Sequence, residues 1–398
     1  MPGPPPTDTY SDVINIGLPP RGRIIYIPFI AIIMKKALGK ITKMFRLPAP
    51  SLRGKSDVDN IGVCVRAGGE AVLFLFLLLL FSCTQRERSK DASPSALKYA
   101  LRTTPVKDQG KVEACWIYAY LACIETERIE NYGDSMNLSP IWLVRNLLLE
   151  QASESYLSQG NMPISVRGIG PDAERLLKQY GMVQWSTYCP DDINSKALTR
   201  IVRHKVKIAV NNRKGLERLN KDVDEALPFI PHNLRKGFYL YSAHYTPKQF
   251  GESILYGIKF SWLTSYKHHP YGESFVLEIP DNHHRHALMN VPVQDMYSQV
   301  IEALKNHHPV YWEGQMPRNR KPSIDGDIAT LRQSALERFT TTDQHAMAIV
   351  GQTKTKQGET LFICKNSWGK DWGIKGYCLM SKEDFLINTI LVGVVGER

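Results

Sequence analysis

One cysteine sits where a turn-rich segment meets a helical run, and the rest of the chain is arranged around that junction. Residues 105–125 read PVKDQGKVEACWIYAYLACIE. Lys107-Asp108-Gln109-Gly110 is the turn, and residues 117–123 are apolar or small with no Gly or Pro. A helix beginning near Ala114 puts Cys115 at its N-terminus, where unpaired backbone N–H groups and the positive dipole end favour an anion. A thiolate there is expected to have a lowered pKa and to be a well-populated nucleophile. Gln109, six residues upstream across a Gly, can fold its amide back beside the sulfur and help hold a developing oxyanion.

A nucleophilic Cys needs a base, and the base needs an orienting group. His345 lies in DQHAMAIVG (343–351) and Asn366 in FICKNSWG (362–369). Together with D-Q-G…C-W around Cys115 and K-N-S-W-G-x-x-W-G-x-x-G-Y from Lys365, this set resembles the papain-like cysteine peptidases, whose Cys, His and Asn come in this order. The resemblance covers most of residues 104–395. It implies an α+β, two-lobed fold, with a helical lobe carrying the nucleophile and an antiparallel β lobe carrying His and Asn. It also implies a Cys115–His345–Asn366 triad, an oxyanion role for Gln109, a shielding role for Trp368, a peptide or protein substrate and no cofactor. Gly168 and Gly170, ahead of a helix that Gly181 stops, stand where the family pairs a Gly-rich segment with the substrate main chain. A plain loop capping that helix explains the same glycines.

Cys115 and His345 are 230 residues apart, against about 130–150 in compact members, so an insertion separates the lobes. Its segments YTPKQF (245–250) and ALMNVP (287–292) resemble the bleomycin hydrolase and aminopeptidase C branch. Ser139-Pro140 reads as an N-cap and N1 pair. Val293, Met296, Tyr297, Val300, Ile301 and Leu304 recur at helical spacing. Residues 309–312 read as a buried strand. Strands are also expected over 346–350, 360–365 and 376–380, with 391–395 closing the sheet.

The family's usual disulfide partner, three residues before the nucleophile, is Val112 here. Glu113 replaces a Gly close to the nucleophile; a carboxylate there would either support a His345 cation or repel the thiolate. Two other readings therefore stay open. One is a papain-fold binding protein disabled by Glu113, and the other is a Cys–His acyltransferase. The chain stops soon after its last expected strand, where relatives in this branch run on into a tail that blocks the cleft. Aminopeptidase specificity is therefore not carried over, and exo- versus endopeptidase action stays open.

Residues 71–81, AVLFLFLLLLF, are followed by Ser82-Cys83 and preceded by Arg53, Lys55 and Arg66. That is a secretory h-region, too short to span a bilayer. Its ending resembles a bacterial lipobox with Cys83 as the lipidated residue. The expected organisation is a leader and lipoprotein signal over 1–83, a polar tether over 84–103 and the peptidase domain over 104–398. Much of 1–70 is expected to be absent from the mature protein. The location implied is the cell envelope through a lipid anchor, or else a secreted or periplasmic enzyme.

The net charge of +11 is diffuse, with +5 in residues 1–83, so no nucleic-acid partner is expected. No C-x-x-C pair occurs among the seven cysteines. The histidines at 268–269, 283–286 and 307–308 have no evident carboxylate partners in the sequence, and no metal site is expected.

Overall fold

Helix α1 (Cys115–Tyr132) is buried on nearly every side, from Trp116 through Arg128. A helix apolar all round belongs inside a core rather than on a surface, and the other elements assemble against it. The computed structural model describes residues 94–396 apart from 231–233, 235, 318–323 and 325. The leader, residues 84–93 of the tether and Cys83 lie outside the described residues.

α2 (Pro140–Leu157) starts as its sequence predicts: Ser139 Oγ accepts from Trp142 N, with Pro140 at the first helical position. α3 (Gly170–Tyr180) ends at Gly181, whose φ of 68° favours glycine. Next come α4 (Ser195–Asn211) and α5 (Leu216–Asp224), which pack on α2. A short hairpin of β1 (Phe238–Leu240) and β2 (Ala243–Tyr245) leads into α6 (Pro247–Leu255). A capping box between Thr246 and Gln249 opens α6. These elements make up the first part of the expected insertion.

The β lobe is an eight-stranded sheet among the described residues. Its strands are β3 (Phe260–Thr264), β4 (Ser274–Val276), β5 (Ala287–Asn290), β6 (Val310–Gly314), β7 (His345–Lys354), β8 (Thr360–Lys365), β9 (Tyr377–Ser381) and β10 (Thr389–Val395), in the order β4-β5-β3-β10-β6-β7-β8-β9. All neighbours are antiparallel except β3 and β5. The expected closing strand, β10, is therefore interior. The insertion supplies β3, which pairs with the β10 edge that would otherwise be exposed. α7 (Val293–Lys305), α8 (Ile328–Glu337) and α9 (Lys382–Asn388) complete the fold. α7 buries Val293, Met296, Val300, Ala303 and Leu304.

Residues 94–103 are not a free tether. Pro94–Tyr99 form a 3₁₀ helix, Ala100 bridges to Gly351, and Leu101 N donates to Val350 O at 2.7 Å. The five cysteines from Cys115 onward are free thiols, and Cys364 faces Cys378 across β8 and β9.

Candidate active site

The segment before the nucleophile is fixed at both ends. Glu125, buried in α1, accepts from Lys107 Nζ at 2.6 Å, from Leu138 N at 2.7 Å and from Thr104 Oγ1. Lys365 Nζ, on β8, donates to Thr104 O at 2.7 Å. Further along, Gln109 N donates to Ser367 O at 2.8 Å and Gly369 N donates to Lys107 O at 3.1 Å. The strip 107–109 therefore pairs with 367–369, which brings the Gln109 turn and the Asn366 loop together.

Cys115 is the first residue of α1, preceded by Ala114 with no side-chain cap. His345 opens β7, and Asn366 follows β8 directly. His345 Nε2 lies 2.7 Å from Asn366 Oδ1, and Ser367 N donates to the same oxygen at 2.7 Å. The backbone donor identifies that atom as the acceptor oxygen. Nε2 therefore carries the proton, and Nδ1 keeps a free lone pair. Trp368, 36% exposed, lies over the imidazole with ring centroids 4.5 Å apart. Trp372 meets Trp368 edge-on at 4.9 Å.

Gln109 is oriented by two bonds. Its Oε1 accepts from Ser367 Oγ at 2.6 Å, and its Nε2 donates to Val112 O at 2.8 Å. One amide hydrogen is left over.

The expected lowered thiol pKa is not what the site produces. Burial pushes Cys115 up to about 12, Glu313 adds to the rise, and the Ala346 and Trp116 N–H groups and Arg167 only partly offset it. Burial also lowers His345 to about 4, with Asn366 opposing. Desolvation around the partly exposed thiol and the buried imidazole outweighs the helix end and favours the neutral form of both. The Ala346 N–H beside the sulfur brings β7 against the start of α1.

Glu113 does neither of the things expected of it. It is 47% exposed and turns outward to Lys196 Nζ at 3.0 Å. The carboxyl beside Cys115 is instead Glu313 on β6, whose register puts it opposite Ala346. Glu313 is 2% exposed, accepts from Tyr311 OH at 2.5 Å, and burial raises its pKa well above the usual carboxylate range. Nothing in the sequence separates this Glu from a solvated one except its place in the apolar strand VYWEG.

Gly168 and Gly170 are buried, and packing gives each a reason to be glycine. A Cβ at Gly168 would lie 2.7 Å from the Trp116 ring, and one at Gly170 would lie 2.6 Å from Trp262 and 2.7 Å from Tyr311. The Gly170 N–H is directed at Glu313.

The histidines do have carboxylate partners, contrary to the sequence expectation. His284 Nδ1 lies 3.1 Å from Asp172 Oδ1, His284 Nε2 lies 3.3 Å from Glu150 Oε1, and His286 Nε2 lies 3.4 Å from Asp172 Oδ1. Topology brings these residues together from α2, α3 and the loop before β5. The sequence places them more than a hundred residues apart. Arg175 reaches both Asp172 and Glu150 at 2.6 Å, so a guanidinium already holds the place of a cation between them. His268 and His269 likewise meet Glu278, at 2.8 and 3.2 Å.

A family model described as papain family cysteine protease matches residues 292–391, the stretch that carries His345 and Asn366. The chain is similar to the papain family of cysteine peptidases. Aminopeptidase E of Lactobacillus helveticus is 24% identical over 348 residues, covering 72% of this chain and 79% of that protein. A thiol protease, SEN102, of Hemerocallis sp. is 47% identical over 38 residues, 10% of this chain and 11% of that one. The crystal structure of PepW from Lactobacillus rhamnosis HN001 superposes with a TM-score of 0.59 at 15% identity. The match covers 86% of this chain and 92% of that one, and it bears out the α+β papain-like fold.

Proposed function

We propose that this papain-family peptidase cleaves peptide bonds with Cys115 as nucleophile, His345 as base and Asn366 as the group that orients the imidazole. The strongest support is the bond from His345 Nε2 to Asn366 Oδ1 at 2.7 Å, since it leaves Nδ1 as the basic nitrogen. Sγ attacks the carbonyl carbon while its proton passes to Nδ1, so neither group has to be charged beforehand. The oxyanion faces the remaining Gln109 amide hydrogen and the Cys115 N–H. The C–N bond then breaks, and the proton on Nδ1 leaves with the amine. Water, deprotonated by the same nitrogen, hydrolyses the thioester. Trp368 shelters the His345–Asn366 bond from water, and Gly168 and Gly170 flank the path of the substrate main chain.

The reading extends to a place in the cell. The apolar run 71–81 ending in Ser82-Cys83 supports export and envelope anchoring through a lipid on Cys83. Labelled palmitate incorporated by the wild type and not by Cys83→Ala would support anchoring, and a soluble, unlabelled product would refute it.

The catalytic assignment is tested with Cys115→Ala, read by peptide hydrolysis and circular dichroism. Loss of hydrolysis with an unchanged spectrum is expected, and full activity in that variant would overturn the assignment. The relative named aminopeptidase E suggests including peptides with free and blocked N-termini.

A further inference from the structure

Two cysteines stand opposite each other in the β lobe, on either side of the loop that carries Asn366. Cys364 on β8 pairs in register with Cys378 on β9. Residues directly opposite in an antiparallel ladder share one face of the sheet. Two positions further along, Asn366 N donates to Gly376 O at 3.0 Å. Residues 366 and 376 are therefore a hydrogen-bonded pair, and by alternation so are 364 and 378, which sets their Cα atoms about 5.5 Å apart. That separation lies inside the range of about 4.4–6.8 Å that a disulfide spans.

The two thiols differ in their surroundings. Cys364 has no exposed surface, whereas Cys378 is partly exposed. Cys378 Sγ also reaches Met347 Sδ on β7 at 3.6 Å. Burial, and then a hydrogen bond with Cys378, push the Cys364 thiol well above its ordinary range. Cys378 is thus the sulfur that solvent reaches first, and Cys364 is held against it. Between them, residues 365–377 include Asn366, Ser367, Trp368 and Trp372. These supply the group that orients His345, the hydroxyl that turns Gln109, the ring over the imidazole and the ring packed on that one.

We propose that Cys364 and Cys378 form a site of disulfide modification that fastens β8 to β9 and closes the loop carrying Asn366 and Trp368. The oxidant is a small-molecule disulfide. Cys378, as its thiolate, attacks one sulfur of the oxidant, whose S–S bond breaks with one small thiolate leaving. Cys364 then gives up its proton and attacks Cys378 Sγ, which forms the protein disulfide and expels the second small thiolate. The two protons end on the two small thiols, so the protein loses two hydrogens and the oxidant gains them. The cross-link closes a loop of 15 residues and acts mainly by removing freedom from the unfolded chain. It holds the end of β8 to β9 independently of the hydrogen bonds that do so in the dithiol. The site stands apart from the peptidase reading, since it requires nothing of Cys115.

The test uses the full chain with Cys115→Ala, so that the nucleophile does not compete for the oxidant. The protein is equilibrated with oxidised or reduced glutathione, quenched in acid, unfolded, alkylated with iodoacetamide and digested without reductant. A peptide pair joined through Cys364 and Cys378, separated by dithiothreitol, is expected. The oxidised sample should also show an unfolding equilibrium constant about 10- to 100-fold smaller, read in urea by tryptophan fluorescence. Cys378→Ser in the same background should abolish both the joined pair and the shift. If that variant does not fold, the peptide map decides alone. Alkylation of both Cys364 and Cys378 after oxidised glutathione overturns the proposal. Glutathione left on Cys378, or Cys378 joined to another cysteine, overturns it as well. A joined pair with no shift in urea overturns the bracing of the loop. Hydrolysis is read separately by the Cys115 test, so either reading can fail without the other.

Discussion

The Ser367 hydroxyl donates to Gln109 Oε1 at 2.6 Å, joining the residue after Asn366 to the amide that precedes the nucleophile. The bond crosses between two loops that sequence separates by 258 residues. It points the amide oxygen toward Ser367 and so turns the NH₂ the other way, where one hydrogen goes to Val112 O and one is free.

Gln109→Ala should therefore lower kcat by about 100- to 1000-fold, the usual cost of losing one oxyanion donor. Ser367→Ala keeps the amide and loses only its orientation, so a smaller fall is expected, with KM little changed. Steady-state kinetics of both variants checks the pair. Equal kcat in Gln109→Ala and wild type would remove Gln109 from the oxyanion role.

The motif residues were legible before any coordinates because the chemistry demands those residue types at those places: a Cys ahead of a helical run, a His opening an apolar strand, and an Asn directly after another. The two lobes are what the family resemblance implies, and the helical and strand patterns agree with it. What could not be read was the company these residues keep. Glu113 draws attention through nearness in sequence, yet its side chain turns to Lys196, while Glu313, 198 positions from Cys115, is the carboxyl whose charge acts on the thiol. The interior place of β10 was likewise hidden. It depends on β3, and pairing between strands distant in the chain is set by tertiary packing rather than by local pattern. The thiol pKa went the wrong way for a related reason. The helix end is visible in sequence, whereas burial, which outweighs it, is not.

Glu125 anchors the approach to the nucleophile from inside the core. Its carboxylate has no exposed surface and receives Lys107 Nζ, Leu138 N and Thr104 Oγ1. Removing one partner of such a buried pair leaves the other charge uncompensated, at a cost of about 3–5 kcal/mol. Glu125→Ala should destabilise the domain by that order in urea denaturation. Activity should fall more steeply than the folded fraction, because Lys107 leads directly to Gln109. A loss below about 1 kcal/mol would mean that the ion pair is replaceable by solvent.

The pH profile should show an acid limb well below that of an ordinary imidazole. Burial lowers His345 to about 4, so the neutral base persists until the pH falls through that value. The sign is fixed by the mechanism: protonation of Nδ1 removes the acceptor for the thiol proton, so activity is lost on the acid side. Asn366→Ala removes the bond at Nε2, the one influence that opposes the effect of burial. Its fall in kcat should come with a loss of the fixed imidazole orientation. The kcat of wild type and Asn366→Ala between pH 3.5 and 8 checks both statements, and a wild-type limb at the usual imidazole value would contradict the first.

His284 gives the stability of the fold its own pH dependence, away from the nucleophile. Hydrogen bonds to Asp172 and Glu150 raise it to about 9, with burial opposing. Its folded pKa is thus above the unfolded value of about 6.5. The stabilisation it gives is fully present below that unfolded value and is lost as pH rises through about 9. The group is partly open to solvent, so the contribution is on the order of 1–2 kcal/mol after screening. His284→Ala should therefore lower urea stability at pH 6 and have a much smaller effect at pH 10. The difference arises because the imidazolium bridges Asp172 at the start of α3 and Glu150 in α2, while Arg175 keeps its own two contacts at either pH. Equal losses at both pH values would show that His284 acts through packing rather than charge.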